Sequence, residues 1–166
     1  MQREHEGARE AHLGESGFTL IELMVVILII AILIAIGIPQ FIGARTRAND
    51  RATQSDLHNG LTAEKTVYVD TQAYYVNSAA VKLAEPSLRW GTKLLVQVST
   101  NFAQNDTVCL SEKSASGSWF AVGDIASASP TSSPAGTYFT KGSADPCASV
   151  PATLLPATIA GWLPNW

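Results

Sequence analysis

Polarity changes abruptly after the first seventeen positions. Residues 1–17 (MQREHEGAREAHLGESG) are polar, with Arg3 and Arg9 set against Glu4, Glu6, Glu10 and Glu15. From Phe18 to Ile38 the next 21 residues hold a single charge, Glu22. A helix rises 1.5 Å per residue, so this block spans roughly 31 Å, close to the thickness of a hydrocarbon core. A segment built of Ile, Leu and Val suits lipid as a helix, because each backbone group is then bonded within the segment. Pro39 closes the block and Gly43 follows, and a proline bends or ends a helix. Helical texture resumes from Gln40 to about Asp70. Phe41, Ala44, Ala48, Ala52, Leu57, Leu61 and Tyr68 recur at steps of mostly three to five, and Arg45, Arg47, Asp50, Arg51, Asp56, Glu64 and Lys65 fill the remainder. One long helix is predicted, apolar all round in its first half and amphipathic in its second, with a packed stripe on those apolar and small positions.

The C-terminal half has a different period. Lys93–Thr100 (KLLVQVST) puts Leu94, Val96 and Val98 on one strand face, and Thr107–Leu110, Trp119–Ile125 and Gly136–Lys141 are further short strands. Turn-rich pieces (Asn101–Asp106, Ser114–Ser118, Ser127–Pro134) separate them, and the tail from Asp145 carries Pro146, Pro151, Pro156 and Pro164. The fold class expected is α+β: a long N-terminal helix packed on a small antiparallel sheet. No internal repeat is present.

Composition sharpens this picture at few points. Charged residues are 15% of the 166, below the usual figure of about 25%, and the apolar share is 46%, much of it in the one N-terminal block. The net charge of −3 comes with no long basic run, so no nucleic-acid interface is expected. Cys109 and Cys147 lie beyond the apolar block; an even pair on the far side of an anchor reads as one disulfide, the alternative being two unrelated buried thiols. An ordinary secretory signal, with Ala35-Ile36-Gly37 as its cut site, is the rival reading of the apolar block. It fits poorly, because residues 1–17 are net negative and the uncharged run from Leu23 to Ile38 is 16 residues long.

The residues across the polarity switch read Gly14-Glu15-Ser16-Gly17-Phe18-Thr19-Leu20-Ile21-Glu22-Leu23-Met24-Val25-Val26. Together with the long apolar helix and Pro39, they resemble the type IV pilin family and the related pseudopilins of type II secretion. The resemblance covers residues 14–60 most strongly; after residue 70 it is one of architecture. It implies residues 1–17 as a leader, 18–39 as a membrane and assembly helix, and 40–166 as the amphipathic half-helix with a globular head. A membrane aspartic peptidase, the prepilin peptidase, would cut between Gly17 and Phe18, and the new Phe18 amine would be N-methylated. Glu22 would be the acid that guides assembly, with Pro39 at the family's usual place. Cys109 and Cys147 would close the loop found near the C-terminus in such heads. The implied product is a filament of identical subunits, made from a membrane precursor by inner-membrane machinery with cytoplasmic ATPases. It would serve adhesion, surface motility or DNA uptake.

Physical chemistry agrees with the role given to Glu22. A carboxylate in an apolar helix is costly unless paired. Cleavage would create a positive amine four residues upstream, so that in staggered helices one subunit's Glu22 can meet a neighbour's amine. The sequence departs from the family in its net-negative leader, in Ala31 where many relatives have glycine, and in Arg45, Arg47 and Arg51 just beyond the apolar block. On the outward side these arginines run against the positive-inside rule.

Other chemistry is sparse. His5 and His12 lie in the leader, so His58 alone would survive maturation and leave no His-rich metal site; it reads as an exposed helix residue. No serine elbow accompanies it, and neither catalytic residues nor cofactors are expected. Asn105-Asp106-Thr107 matches a glycosylation acceptor but is more simply a turn, and Ser127–Pro134 reads as a solvated loop rather than an O-glycosylated one. Trp162 and Trp166 are candidates for adhesion, although packing of Trp162 on the head beside Leu154, Leu155, Ile159 and Leu163 is simpler. Two alternative functions follow: a secretion pseudopilin, weakened by a tail whose only acid after Asp124 is Asp145, and a membrane-tethered extracytoplasmic binding domain.

Overall fold

The computed structural model describes residues 17–76, 79–99, 106–127, 134–148 and 161–166. The leader therefore lies outside the described residues, except for Gly17. So do Asn105, most of the Ser127–Pro134 loop, and Leu154, Leu155 and Ile159. The chain divides into two compact units, residues 1–41 and 42–166.

The first unit carries the start of helix α1 (Leu20–Thr71), which continues through Pro39 as helix. No residue from Gly17 to Ile42 is buried.

The second unit holds the rest of α1, a short helix α2 (Ala79–Ala84) and four strands: β1 (Leu94–Ser99), β2 (Thr107–Lys113), β3 (Trp119–Ile125) and β4 (Gly136–Gly142). The strands form an antiparallel meander in the order β1-β2-β3-β4. Register places residues in rows across the sheet. Val96, Leu110, Val122 and Phe139 make the middle row of one face, flanked by Leu94, Glu112, Phe120 and Lys141 on one side and Val98, Val108, Asp124 and Thr137 on the other. The apolar members of these rows join Leu57, Leu61, Ala63 and Val67 of α1 in one core. Close approach is set by Gly60: a Cβ there would lie 2.6 Å from Leu94 Cδ2 and 2.9 Å from Leu110 Cδ2.

The charged ends of the outer rows fasten helix to sheet. Lys93 Nζ reaches Asp56 of α1 at 2.6 Å and Glu112 of β2 at 2.8 Å. Lys65 Nζ lies 2.7 Å from Asp124 Oδ1. Asp124 also accepts hydrogen bonds from Tyr74 and Thr137, each at 2.5 Å. Asp50 of α1 accepts from Ser114 Oγ at 2.8 Å, from Ser116 Oγ in the β2–β3 turn, and from Lys141 Nζ at 3.3 Å. The opposite face carries the Cys109–Cys147 disulfide, Cα–Cα 5.9 Å, which spans 38 residues. Ala121 and Trp162 pack beside it, and the Trp162 ring lies over Gly123, where a Cβ would be 3.1 Å away.

Several expectations need correction. The packed stripe does not include Phe41, Ala44, Ala48 or Ala52, all of which are exposed; the buried residues of α1 run from Thr53 to Val67, where the sheet covers the helix. Glu64, expected among the solvated charges, is fully buried because it falls on that covered face. Strand β2 runs three residues past Leu110, since Ser111 and Glu112 are buried despite their polarity. Helix α2 was not anticipated.

Burial raises the Glu64 pKa to about 7, an effect the backbone N–H of Tyr75 only partly offsets. The folded state therefore holds this proton where an unfolded glutamate has lost it. Stability should fall as pH rises from about 4.5 through 7 and level off above. Glu64→Gln, which keeps the shape without the charge, should match the parent near pH 4.5. It should exceed the parent at pH 8 by on the order of 3 kcal/mol, measured by denaturant unfolding of the detergent-solubilised chain followed by tryptophan fluorescence. Replacing Cys109 and Cys147 by serine should cost about 3–4 kcal/mol in the same assay, because the link closes a long loop.

Candidate functional site: the start of the apolar helix

Why α1 begins where it does is written in four residues. Thr19 precedes the first helical residue and Glu22 is the third. The Glu22 backbone N–H donates to Thr19 Oγ1 at 3.3 Å, while Glu22 Oε2 accepts from the Thr19 backbone N–H at 2.8 Å and from Thr19 Oγ1 at 2.7 Å. This is a reciprocal capping box, in which an N-cap hydroxyl and an acid three residues on satisfy donors that the first turn leaves open. A carboxylate in the first turn also faces the positive end of the helix dipole. The box uses the amide of the Phe18–Thr19 bond, so cutting the chain before Phe18 would leave it intact. Both side-chain bonds fall on Oε2.

Gly17 and Phe18 lie just outside the helix. Phe18 is 89% exposed and makes no hydrogen bond to Glu22 within the chain. A side chain on Gly17 would meet nothing within 4 Å among the described residues, so none of them crowds this position. Beyond Glu22 the helix surface is Ile, Leu, Val and Met, fully uncovered, with a shallow depression lined by Ile21, Met24, Val25, Ile27, Leu28 and Ala31. Gly37 is equally open, and Pro39 lies within α1.

The sequence reading picked out Gly17, Phe18, Glu22, Pro39, Cys109 and Cys147 but missed Thr19. The signal was there in the Thr-x-x-Glu spacing at the head of an apolar run. His58 is an exposed residue of α1, as expected; its ring also lies 5.3 Å from that of Phe139, and its Nε2 accepts a hydrogen bond from Trp166 Nε1 at 3.2 Å. Trp166 further packs on Phe120 and Phe139, with ring centroids at 5.2 and 5.1 Å, and Leu163 pairs with Phe139. Trp162 and Trp166 therefore serve to seat residues 161–166 on the sheet. Thr107, within the glycosylation pattern, is fully buried. No group of acids, histidines and cysteines suited to a metal occurs among the described residues.

Residues 13–38 match the family model of the prokaryotic N-terminal methylation motif. Over 65 residues the chain is 45% identical to the type IV wide pilus major component PilA4 of Thermus thermophilus, covering 39% of this chain and 50% of that protein. Over 58 residues it is 43% identical to the type IV major pilin protein PilA of Myxococcus xanthus, covering 35% of this chain and 26% of that one. The chain thus matches half the length of the first relative and about a quarter of the second.

Removing the N-cap by Thr19→Val should cost about 1 kcal/mol of first-turn stability. Amide hydrogen exchange in detergent should speed up severalfold at Ile21–Leu23 and stay unchanged at Leu57–Val67.

Proposed function

We propose that this chain, whose N-terminal helix is that of the type IV pilins, is a pilus subunit: a single-pass membrane precursor with its head outside, cut between Gly17 and Phe18, and polymerised through α1 into an extracellular filament. The observation that carries the reading is the methylation motif followed by an apolar helix with no covered face and one acid, Glu22. A helix that apolar requires lipid or other helices around it. The role is structural rather than catalytic, as the names of the similar proteins suggest.

The peptidase is the natural source of a demand for glycine at position 17, where no described residue crowds an added side chain. The mature subunit would begin at Phe18 with a methylated amine. In the filament, the Phe18 amine of one copy would meet Glu22 of another. Oε2 is engaged with Thr19, which leaves Oε1 for the incoming cation. An ion pair formed inside a bundle of apolar helices compensates two charges only when the stagger is correct. Breaking a buried pair by removing one partner costs about 3–5 kcal/mol, a hundredfold or more in the subunit-addition equilibrium. The partners of the subunit are then its own copies, the prepilin peptidase and an ATP-driven assembly machine in the membrane.

Two outcomes are expected. Intact-mass analysis of the membrane or filament protein should find a chain that has lost residues 1–17, starts at Phe18 and carries a methyl group; a chain starting near Ile38 would restore the secretory-signal reading. Glu22→Gln keeps the capping acceptor but removes the charge, so it should leave membrane-bound subunit at parental levels and abolish sheared filaments on immunoblots. Glu22→Ala should do the same and fray the first turn as well. Normal filaments from Glu22→Gln would mean that helix packing alone drives assembly.

A further inference from the structure

Arg45, Arg47 and Arg51 are exposed on α1, and among the described residues none of them makes an ion pair or a side-chain hydrogen bond. The carboxylates next to them are already engaged: Asp50 by Ser114, Ser116 and Lys141, and Asp56 by Lys93. Arg47 and Arg51 stand four apart, a like-charge spacing that disfavours a helix. All three lie on turns of α1 before Thr53, the first residue the sheet buries, so they hold no part of the head together. The fold gives these cations nothing to do.

We propose that Arg45 and Arg47 form a collar that binds the phosphates of anionic phospholipid headgroups at the outer face of the membrane, holding the precursor at a fixed depth before assembly; Arg51, thirteen residues past Ile38 and roughly 20 Å along the helix, stands beyond that layer. The inference rests on reading Phe18–Ile38 as the membrane span. Arg45 and Arg47 follow Ile38 by only seven and nine residues, roughly 10–14 Å of helical rise. The headgroup layer is roughly 5–8 Å deep on each side. Arginine stems can reach back toward such a layer while the guanidinium stays in the polar zone. The planar fork of the guanidinium suits phosphate. A second copy of the chain is a poorer source of counter-charge. Among the described residues, Asp70 is the exposed head carboxylate that makes no ion pair or hydrogen bond, one acid against three arginines. A headgroup layer, by contrast, presents a phosphate on every lipid. The arrangement also gives the outward arginines a purpose that the positive-inside rule leaves unexplained.

The test reconstitutes the full chain and an R45Q/R47Q variant into phosphatidylcholine bilayers containing spin-labelled phosphatidylglycerol or spin-labelled phosphatidylcholine. Electron paramagnetic resonance then reads the preference of the first lipid shell. The parent should select phosphatidylglycerol about fivefold, the ratio expected for one fully engaged arginine at about 1 kcal/mol. The preference should fall to parity in the variant and in 0.5 M NaCl. Equal selectivity of parent and variant, or no selectivity in the parent, overturns the proposal. A variant that changes self-association while lipid preference stays put also overturns it, and assigns the arginines to a second copy. Failure of the parent to resist carbonate extraction from either bilayer removes the membrane-span reading and the collar with it, whereas insertion without selectivity removes the collar alone.

Discussion

From Leu20 to Ile38 the helix turns Ile, Leu, Val and Met outward on every side, and the protein itself covers none of them. Water is a poor solvent for such a surface, at about 25 cal/mol for each Å² exposed. The apolar half of α1 must therefore sit in lipid or against other apolar helices. The remaining features of this end of the chain follow from that requirement. A single acid can be tolerated in such a segment if it has a partner, and Glu22 has a local one in Thr19 and a proposed distant one in the amine of a neighbour. The capping box matters because it fixes where the acid points while the second partner is still absent.

The other half of α1 solves a different problem. It is a core helix on the face that meets the sheet and a polar helix elsewhere. Gly60 lets Leu94 and Leu110 come against the helix backbone, and Lys93 and Lys65 fasten the two outer rows of the sheet to it. The partly exposed Lys93–Asp56 pair contributes little by itself, whereas Glu112, the other partner of Lys93, is buried. The Asp124 cluster is different, because its acceptor is buried and takes three donors from α1, the segment after it, and β4. The disulfide holds the sheet's opposite face with Trp162 packed beside it, while Trp166 packs on Phe120 and Phe139 of the core face.

Elements set by local pattern were legible in the sequence. The apolar run, the continuation of helix past Pro39, and strand β3 from Trp119 to Ile125 all follow from periodicity and breakers. Strands β1 and β4 were read to within a residue or two at each end. What depended on tertiary cover was not legible. Ala44, Ala48 and Ala52 have the right spacing for a packed stripe, but no sheet lies over those turns. Glu64 has the composition of a surface residue and falls on the covered face. Ser111 and Glu112, polar residues past the strand expected over Thr107–Leu110, belong to β2, a central strand that buries them. At the site, Phe18 and Glu22 stood out by chemistry. Thr19 was overlooked because its role is seen only as a pair of reciprocal hydrogen bonds, although the spacing that permits them is visible in the sequence.

The central claim is that one charge pair, formed between copies, sets the stagger of the apolar helices. A cryo-electron microscopy map of the sheared filament, at a resolution that shows side chains, reads this directly. The account predicts the Phe18 nitrogen of one subunit within hydrogen-bonding distance of the Glu22 carboxylate of its neighbour, with Thr19 still bonded to the same acid. A map in which Glu22 is bonded only to its own Thr19, with the neighbouring amine in solvent or against another group, would contradict it.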